Sequence, residues 1–346
     1  MVARWPPLRG HDFMETRKIQ KTGGSTYIVS LPKHWVISSK LKEGETVSMT
    51  IESGGTLTID PGLGSKKPSS RVDVLVDDKE DELHFLRRLI GLYISGHDEI
   101  VVRGKARISP EIRKIVSDFT RKVIGSEIVE ESSTSVTIQD VADHSHLDMR
   151  KILRRMHLVS RSMHADAMQA LKSSDRDLAE NVLARDDEID RLYLFVAKQQ
   201  SMILRDPAVA RRMGIGISEA SFYLSAAKAL ERIADHAARI AHSASALSSG
   251  NLNDRLVKDI EGYSSTVLSV LDRSMDSMLK VDMLTANLVA DESEQLRKDG
   301  EKLIEQIMNH RVKFAVPFAR VVESLERTAL YSVDIAEIAI NLAEKG

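Results

Sequence analysis

Cysteine is absent from the chain, which excludes disulfide staples, thiolate metal sites and cysteine nucleophiles. Aromatic residues are scarce at 4%, while Ala, Leu, Ile, Met and charged residues crowd the second half, a mix suited to long packed helices. No apolar run reaches the length that spans a bilayer, so no membrane insertion is expected. The opening segment MVARWPPLRGHDF has charges and two prolines where an export signal needs an unbroken apolar stretch. The chain therefore reads as cytoplasmic, with residues 1–13 a flexible arm and Met14 an alternative start. Phosphate-binding glycine loops, GxSxG and HExxH are missing too. That leaves clustered acids as the sole catalytic candidate, and an enzyme is not expected.

Net charge is also small, -2, which argues against a nucleic-acid coat over the whole surface. The charges are unevenly spread, however. Up to Ser70 stand ten bases (Arg4, Arg9, Arg17, Lys18, Lys21, Lys33, Lys40, Lys42, Lys66, Lys67) against six acids (Asp12, Glu15, Glu43, Glu45, Glu52, Asp60), so the remainder is acidic.

At 346 residues the chain is too long for one ordinary core, and pattern divides it. Over 14–62, short β-branched runs broken by Gly23-Gly24, Pro32, Glu43-Gly44 and Gly54-Gly55 predict four strands, with Pro32 opening one short helix. So small a domain cannot bury a sufficient core alone, and a homodimer or higher oligomer is expected. Residues 63–70 read as a linker. Residues 71–141 carry strands RVDVLV, EIVVRG, SEIVEE and TSVTIQDV, with helices over 79–96 and 109–125. The order βαβαββ predicts a small α+β module with helices on one face of a sheet, of no legible role. Two three-helix bundles follow, 146–249 and 251–345, with breaks expected near Ser173-Ser174, Asp206-Pro207, Gly214 to Gly216, Ser249-Gly250, Ala286-Asn287 and Pro317. The bundles repeat: LERIADHAARIA (230–241) and LERTALYSVDIA (325–336) agree at six of twelve positions, and DDEIDRL (186–192) has a weaker echo in ADESEQL (290–296).

Asp186 and Asp190 stand four apart on one predicted helix, and Glu231 and Asp235 four apart on another. Each pair borders an apolar stripe: Leu178, Val182, Ile189, Leu192, Val196 in the first helix and Leu230, Ile233, Ala237, Ile240, Ala244 in the second. Packed side by side, the helices would gather four carboxylates, a set that suits iron, manganese, magnesium or zinc; His242 could add nitrogen. A solvated acidic face next to arginines is the competing reading. The second bundle keeps only Glu294 and Glu326, because Ala290 and Leu330 replace the other two acids, and no complete site is expected there. Of the histidines, His84 and His97 read as structural or solvated, His144 and His146 as a helix lead-in, and His157 and His164 as surface or edge residues.

LERIADHAARIA and DDEID resemble the signature and the acidic metal motif of the PhoU family of phosphate-uptake regulators, over roughly residues 146–345. The resemblance implies two tandem three-helix bundles with metal held by Asp186, Asp190, Glu231 and Asp235, and with Asp187 and Glu292 as substitute donors. RKIQKTGGSTYIVSLPKHWVISSKLKEGETVSMTIESGGTLTIDP resembles the AbrB/SpoVT swapped-hairpin domain, whose members intertwine two chains and set basic residues against DNA. It implies contacts to promoter DNA by Arg17, Lys18, Lys21 and Lys33, with Lys40 beside them, the backbone at Gly23-Gly24 and the hydroxyls of Ser25 and Thr26. Val36 and Ile37 occupy positions where that family often carries arginine. The fold class expected is thus mainly α: PhoU-like tandem bundles preceded by a small α+β module and an AbrB-like β domain, an archaeal-type fusion. Three functions compete. The first is a phosphate-responsive, DNA-binding transcriptional regulator, the second an adaptor docking on a phosphate transporter or kinase, and the third a metal-dependent hydrolase.

Overall fold

The computed structural model describes residues 15–51, 55–61, 70–77, 80–142, 148–247, 254–308 and 312–344. The expected arm, most of the linker, His144, His146 and the Ser249-Gly250 break lie outside the described residues. The chain divides into two units, residues 1–68 and 69–346.

In the first unit, β1 (Gln20–Thr22) and β2 (Thr26–Ile28) form one antiparallel hairpin, turned at Gly23 with φ +61. A second hairpin joins β3 (Ser48–Ile51) to β4 (Leu57–Asp60), and α1 (Lys33–Ser38) lies between the hairpins in sequence. Pro32 is the residue before the helix rather than its first member, because its ψ of 127 is extended. Four strands and one helix were expected, and they are present. None of the unit's described residues is buried: Tyr27 is 68% exposed and Ile51 79%.

The second unit begins with β5 (Arg71–Val76), α2 (Glu82–Ile94), β6 (Glu99–Gly104), α3 (Pro110–Lys122), β7 (Ser126–Glu131) and β8 (Ser135–Asp140), in sheet order β5-β6-β8-β7. Only β5 and β6 run parallel, as a crossover helix between them requires. Asp81 accepts from the His84 amide and Ser109 from the Ile112 amide, so each helix starts on a side-chain cap. Phe85, Leu89, Ile112, Val116 and Phe119 from the helices cover Val74, Val102, Val136 and Ile138 of one sheet face.

Seven helices follow among the described residues: α4 (Met149–Ser173), α5 (Arg176–Arg205), the short α6 (Pro207–Met213), α7 (Ile217–Leu247), α8 (Asp254–Lys280), α9 (Met283–Met308) and α10 (Val312–Ala343). Left-handed Ser174 and Gly214 end α4 and α6, and Asp175 and Asp206 cap the helices α5 and α6. Two expected breaks are displaced. The chain turns at Val281 (φ +56) and Asp282, whose carboxylate accepts from the Thr285 amide. Ala286 lies inside α9 instead, buried, with its amide bonded to the Asp282 carbonyl. Pro317 does not end a helix either: it sits in the second turn of α10, where its missing donor costs a single backbone bond.

One continuous core runs through both bundles, from Leu153, Met163 and Ala167 of α4 through Ile233 and Ala237 of α7 to Val321, Leu325 and Ile335 of α10. Buried alanines at 226, 227, 229, 234, 237, 238 and 241 let neighbours approach α7 from several sides. The structure corrects the reading of two histidines as surface or edge residues, because α4 is enclosed by the second bundle as well as by its own. His164 is fully buried; its Nε2 donates to the Ile233 carbonyl (2.9 Å) and lies 3.1 Å from Thr328 Oγ1. His157 is largely buried against Asp272 at 2.9 Å. His84 is exposed to solvent, and His97 Nδ1 meets Ser70 Oγ at 2.9 Å. No helix among the described residues is long and apolar enough to cross a membrane.

Candidate metal centre

On α5 the stripe Val182, Ile189, Leu192 and Val196 is buried, with Leu178 partly so; on α7 all of Leu230, Ile233, Ala237, Ile240 and Ala244 are buried. This packing turns the flanking acids of the two helices toward one another. Burial, followed by the negative charges of Asp235 and Asp190, pushes the Asp186 carboxyl up to about 6. Asp190 is raised by burial and then by Glu231 and Asp235, and Asp235 by burial and then by Glu231. The four acids predicted from spacing therefore share one field, which Lys228, Arg239, Arg232 and Lys122 offset only in part.

One cation enters from within. Lys228, one turn before Glu231, donates to Glu231 Oε1 at 2.6 Å and lies 4.7 Å from the centroid of the Tyr193 ring. Glu231 Oε2 is buried with no hydrogen-bond partner, an orphaned acceptor facing a carboxylate cluster. Asp187, at 3.6 Å from Lys122, is exposed. His242 lines a hollow with Arg239 and Arg320 instead of the acids. As the side chains stand, no three histidine, aspartate or glutamate groups among the described residues converge closely enough to hold an ion. The donors fit a hard cation in kind and charge; their side chains would have to close on it.

The second bundle lacks this arrangement. Glu294 is exposed and held by Arg297 at 2.8 Å, which keeps its carboxyl below the usual range. Glu326 is raised by burial and by Glu301, and it packs over Gly300, where any Cβ would collide with its carboxylate. Leu330 is an exposed apolar side chain where the first bundle has Asp235. Glu292, the substitute donor, is gripped by both ends of the Arg273 guanidinium.

Beyond its acids, α5 continues as the seat of the α+β module. Leu194 joins the module's core, Met202 packs on Gly96, and Arg205 donates to the Gly96 carbonyl at 3.4 Å. Between them Lys198, 1% exposed, donates to Asp140 Oδ2 at 2.5 Å and lies 4.3 Å from the Tyr93 ring centroid. This buried pair was missed in the sequence, where its only signal is a lone lysine in the run YLFVAKQQSMIL.

In the first unit, Arg17, Lys18, Lys21, Ser25, Thr26 and Lys33 are all exposed. Arg17 is paired with Glu15. Lys21 and Tyr27 are directly opposed across the hairpin and share a face, while Thr22 and Thr26 pair on the other.

Residues 153–244 and 260–339 match the family described as PhoU domain, and residues 20–72 match the family described as antidote-toxin recognition MazE, bacterial antitoxin. A phosphate-specific transport system accessory protein PhoU homolog from Pseudomonas aeruginosa is 26% identical over 204 residues, covering 56% of this chain and 82% of the relative. A homolog from Thermotoga maritima bearing the same description, numbered 1, is 25% identical over 215 residues, covering 58% and 90%. The crystal structure of PhoU from Pseudomonas aeruginosa superposes with a TM-score of 0.52 at 21% identity, over 57% of this chain and 96% of that one.

Proposed function

The helical half of this chain belongs to the PhoU family, and from that premise we propose that the protein is a phosphate-responsive regulator of phosphate uptake that holds DNA through its basic first unit. One observation carries the reading: a single polypeptide joins a PhoU domain pair to an antitoxin-like β unit with a surplus of exposed bases. Such bases bind phosphates without reading sequence, which suits Arg17, Lys18, Lys21 and Lys33, helped by the Ser25 and Thr26 hydroxyls. Two chains would intertwine there, because the unit buries none of its described side chains by itself.

The metal reading rests on the orphaned Glu231 oxygen and on the burial and mutual repulsion that raise Asp186, Asp190 and Asp235. These four residues would hold iron, manganese, zinc or magnesium, which would supply positive charge beyond what the neighbouring bases provide. Its role would be structural or sensory, in a regulator rather than an enzyme. The second reading is a cytoplasmic adaptor on a phosphate transporter or signalling partner; the description of its relatives as transport system accessory proteins favours it. Chromatin mapping with expression profiling in phosphate-rich and phosphate-starved cells separates the two. Promoter occupancy that changes with phosphate supports the regulator. Absence of occupancy, together with no salt-dependent affinity of the purified chain for DNA, leaves the adaptor.

A further inference from the structure

Arginines recur seven residues apart on the two central helices: Arg232 and Arg239 on α7, Arg320 and Arg327 on α10. Seven residues is close to two helical turns, so each pair lies along one face. The faces meet at the seam between the bundles. There a hollow of about 330 Å³ is walled by Arg232, Asp235, His236, Arg239, Glu323, Arg327 and Tyr331. It shares Arg239 and Glu323 with the adjoining hollow of about 520 Å³, where Arg320 and His242 stand.

Three features set this groove apart from an ordinary charged surface. The first is that none of its four arginines forms an ion pair among the described residues. Other arginines of the helical half are matched, as in Arg155 with Glu188, Arg161 with Asp272 and Arg185 with Asp166. Four carboxylates stand nearby, Asp235 and Glu323 in the wall, Asp334 beside Arg232 and Glu326 beside Arg327, but none forms an ion pair with a guanidinium among the described residues. A second feature is His236, 6% exposed, whose Nδ1 is buried in the wall with no hydrogen-bond partner. An unmet buried polar atom costs free energy that a ligand can recover. The third is pre-organisation across the seam. Tyr331 of α10 packs against the His236 ring of α7 at 5.9 Å, and the Arg232 guanidinium lies 5.5 Å from the Tyr331 ring centroid.

We propose that this groove binds a small, multiply charged oxyanion of the phosphate class, with Arg232, Arg239 and Arg327 as donors from both bundles and the unpartnered His236 Nδ1 at its base. Guanidinium forks match tetrahedral oxyanions in shape and donate two parallel bonds to each, and a site lined by several of them selects charge and geometry together. Glu323 and Asp235 oppose the ligand and tune affinity downward. The site stands on geometry alone and is independent of whether the chain binds DNA.

The test is titration calorimetry on the full chain in EDTA, with inorganic phosphate as the probe and a nucleoside triphosphate in a parallel arm. Saturable binding is expected, weakened roughly tenfold or more by Arg239→Gln and by Arg327→Gln. Glu323→Gln should tighten it, and Arg155→Gln, a paired arginine on α4, should leave it unchanged. Tighter binding of the triphosphate would identify a nucleotide's phosphoryl groups as the source of the oxyanion; tighter binding of phosphate would identify the free ion. All these side chains are exposed, and an unaltered circular dichroism spectrum certifies each variant. The proposal is overturned by the absence of saturable binding of either probe into the millimolar range. It is equally overturned if the two arginine substitutions leave binding unchanged, or if binding appears only when metal is restored.

Discussion

Glu231 shows how a single side chain can be satisfied at one end and strained at the other. Its Oε1 takes the Lys228 ammonium, while its Oε2 is buried without a partner among acids that raise one another. Exchanging Glu231 for Gln and Asp235 for Asn together should remove bound metal, whereas Glu326→Gln should leave the content unaltered. Elemental analysis of the purified variants decides this, and equal loss in both would end the asymmetry between bundles. His164 gives a second test at the same scale. Burial lowers its pKa from 6.5 to about 4, so the folded ring stays neutral where the unfolded ring takes a proton. The unfolded state then binds more protons between those values, and stability falls as pH drops through the window. The limiting slope is about 1.4 kcal/mol per pH unit. His164→Gln, which keeps a donor for the Ile233 carbonyl, should lose less stability between about pH 7 and about pH 5 than the parent does. Parallel losses in urea denaturation would rule out His164 as the source.

Helices and hairpins carry the next level of consequence. The basic hairpin should bind DNA mainly through charge, because two intertwined units would offer about six to eight basic side chains, implying a slope of log affinity on log salt of about -5 to -7. Substituting Arg17, Lys18 and Lys21 with Ala should weaken binding to all sequences alike and flatten that slope by several units. Unchanged affinity and slope in fluorescence anisotropy would reduce the unit to a dimerisation element. Elements with strong local signals were legible from residues alone: the Ser109-Pro110 helix start, the alternating strands and the break at Ser173-Ser174. Those set by distant packing were not. Asn287 looked like a stop but continues α9, since Asp282 caps the helix a turn earlier and Ala286 is needed in the core. The arginine groove escaped too, although Arg232, Arg239, Arg320 and Arg327 share a spacing, because only the meeting of α7 with α10 gives that spacing a common target.

For the whole molecule, the partition of burial between the two units has a direct outcome. The full chain should be at least a dimer, and removing residues 1–62 should leave a monomer at low micromolar concentration with the helices still folded, because the helical half has its own core and the first unit has none among its described residues. Light scattering on the truncated chain measures it; an intact dimer would move the interface to the helices.

The core shared by α4, α7 and α10 bears on the history of the repeat. Each bundle is completed by the other, so neither copy has to be a viable protein alone, and a duplicated half is freed from duplicate duties. One copy can carry the full acid set while its twin has Ala290 and Leu330 at the matching positions. Even so, that twin remains indispensable as the other wall of its sibling.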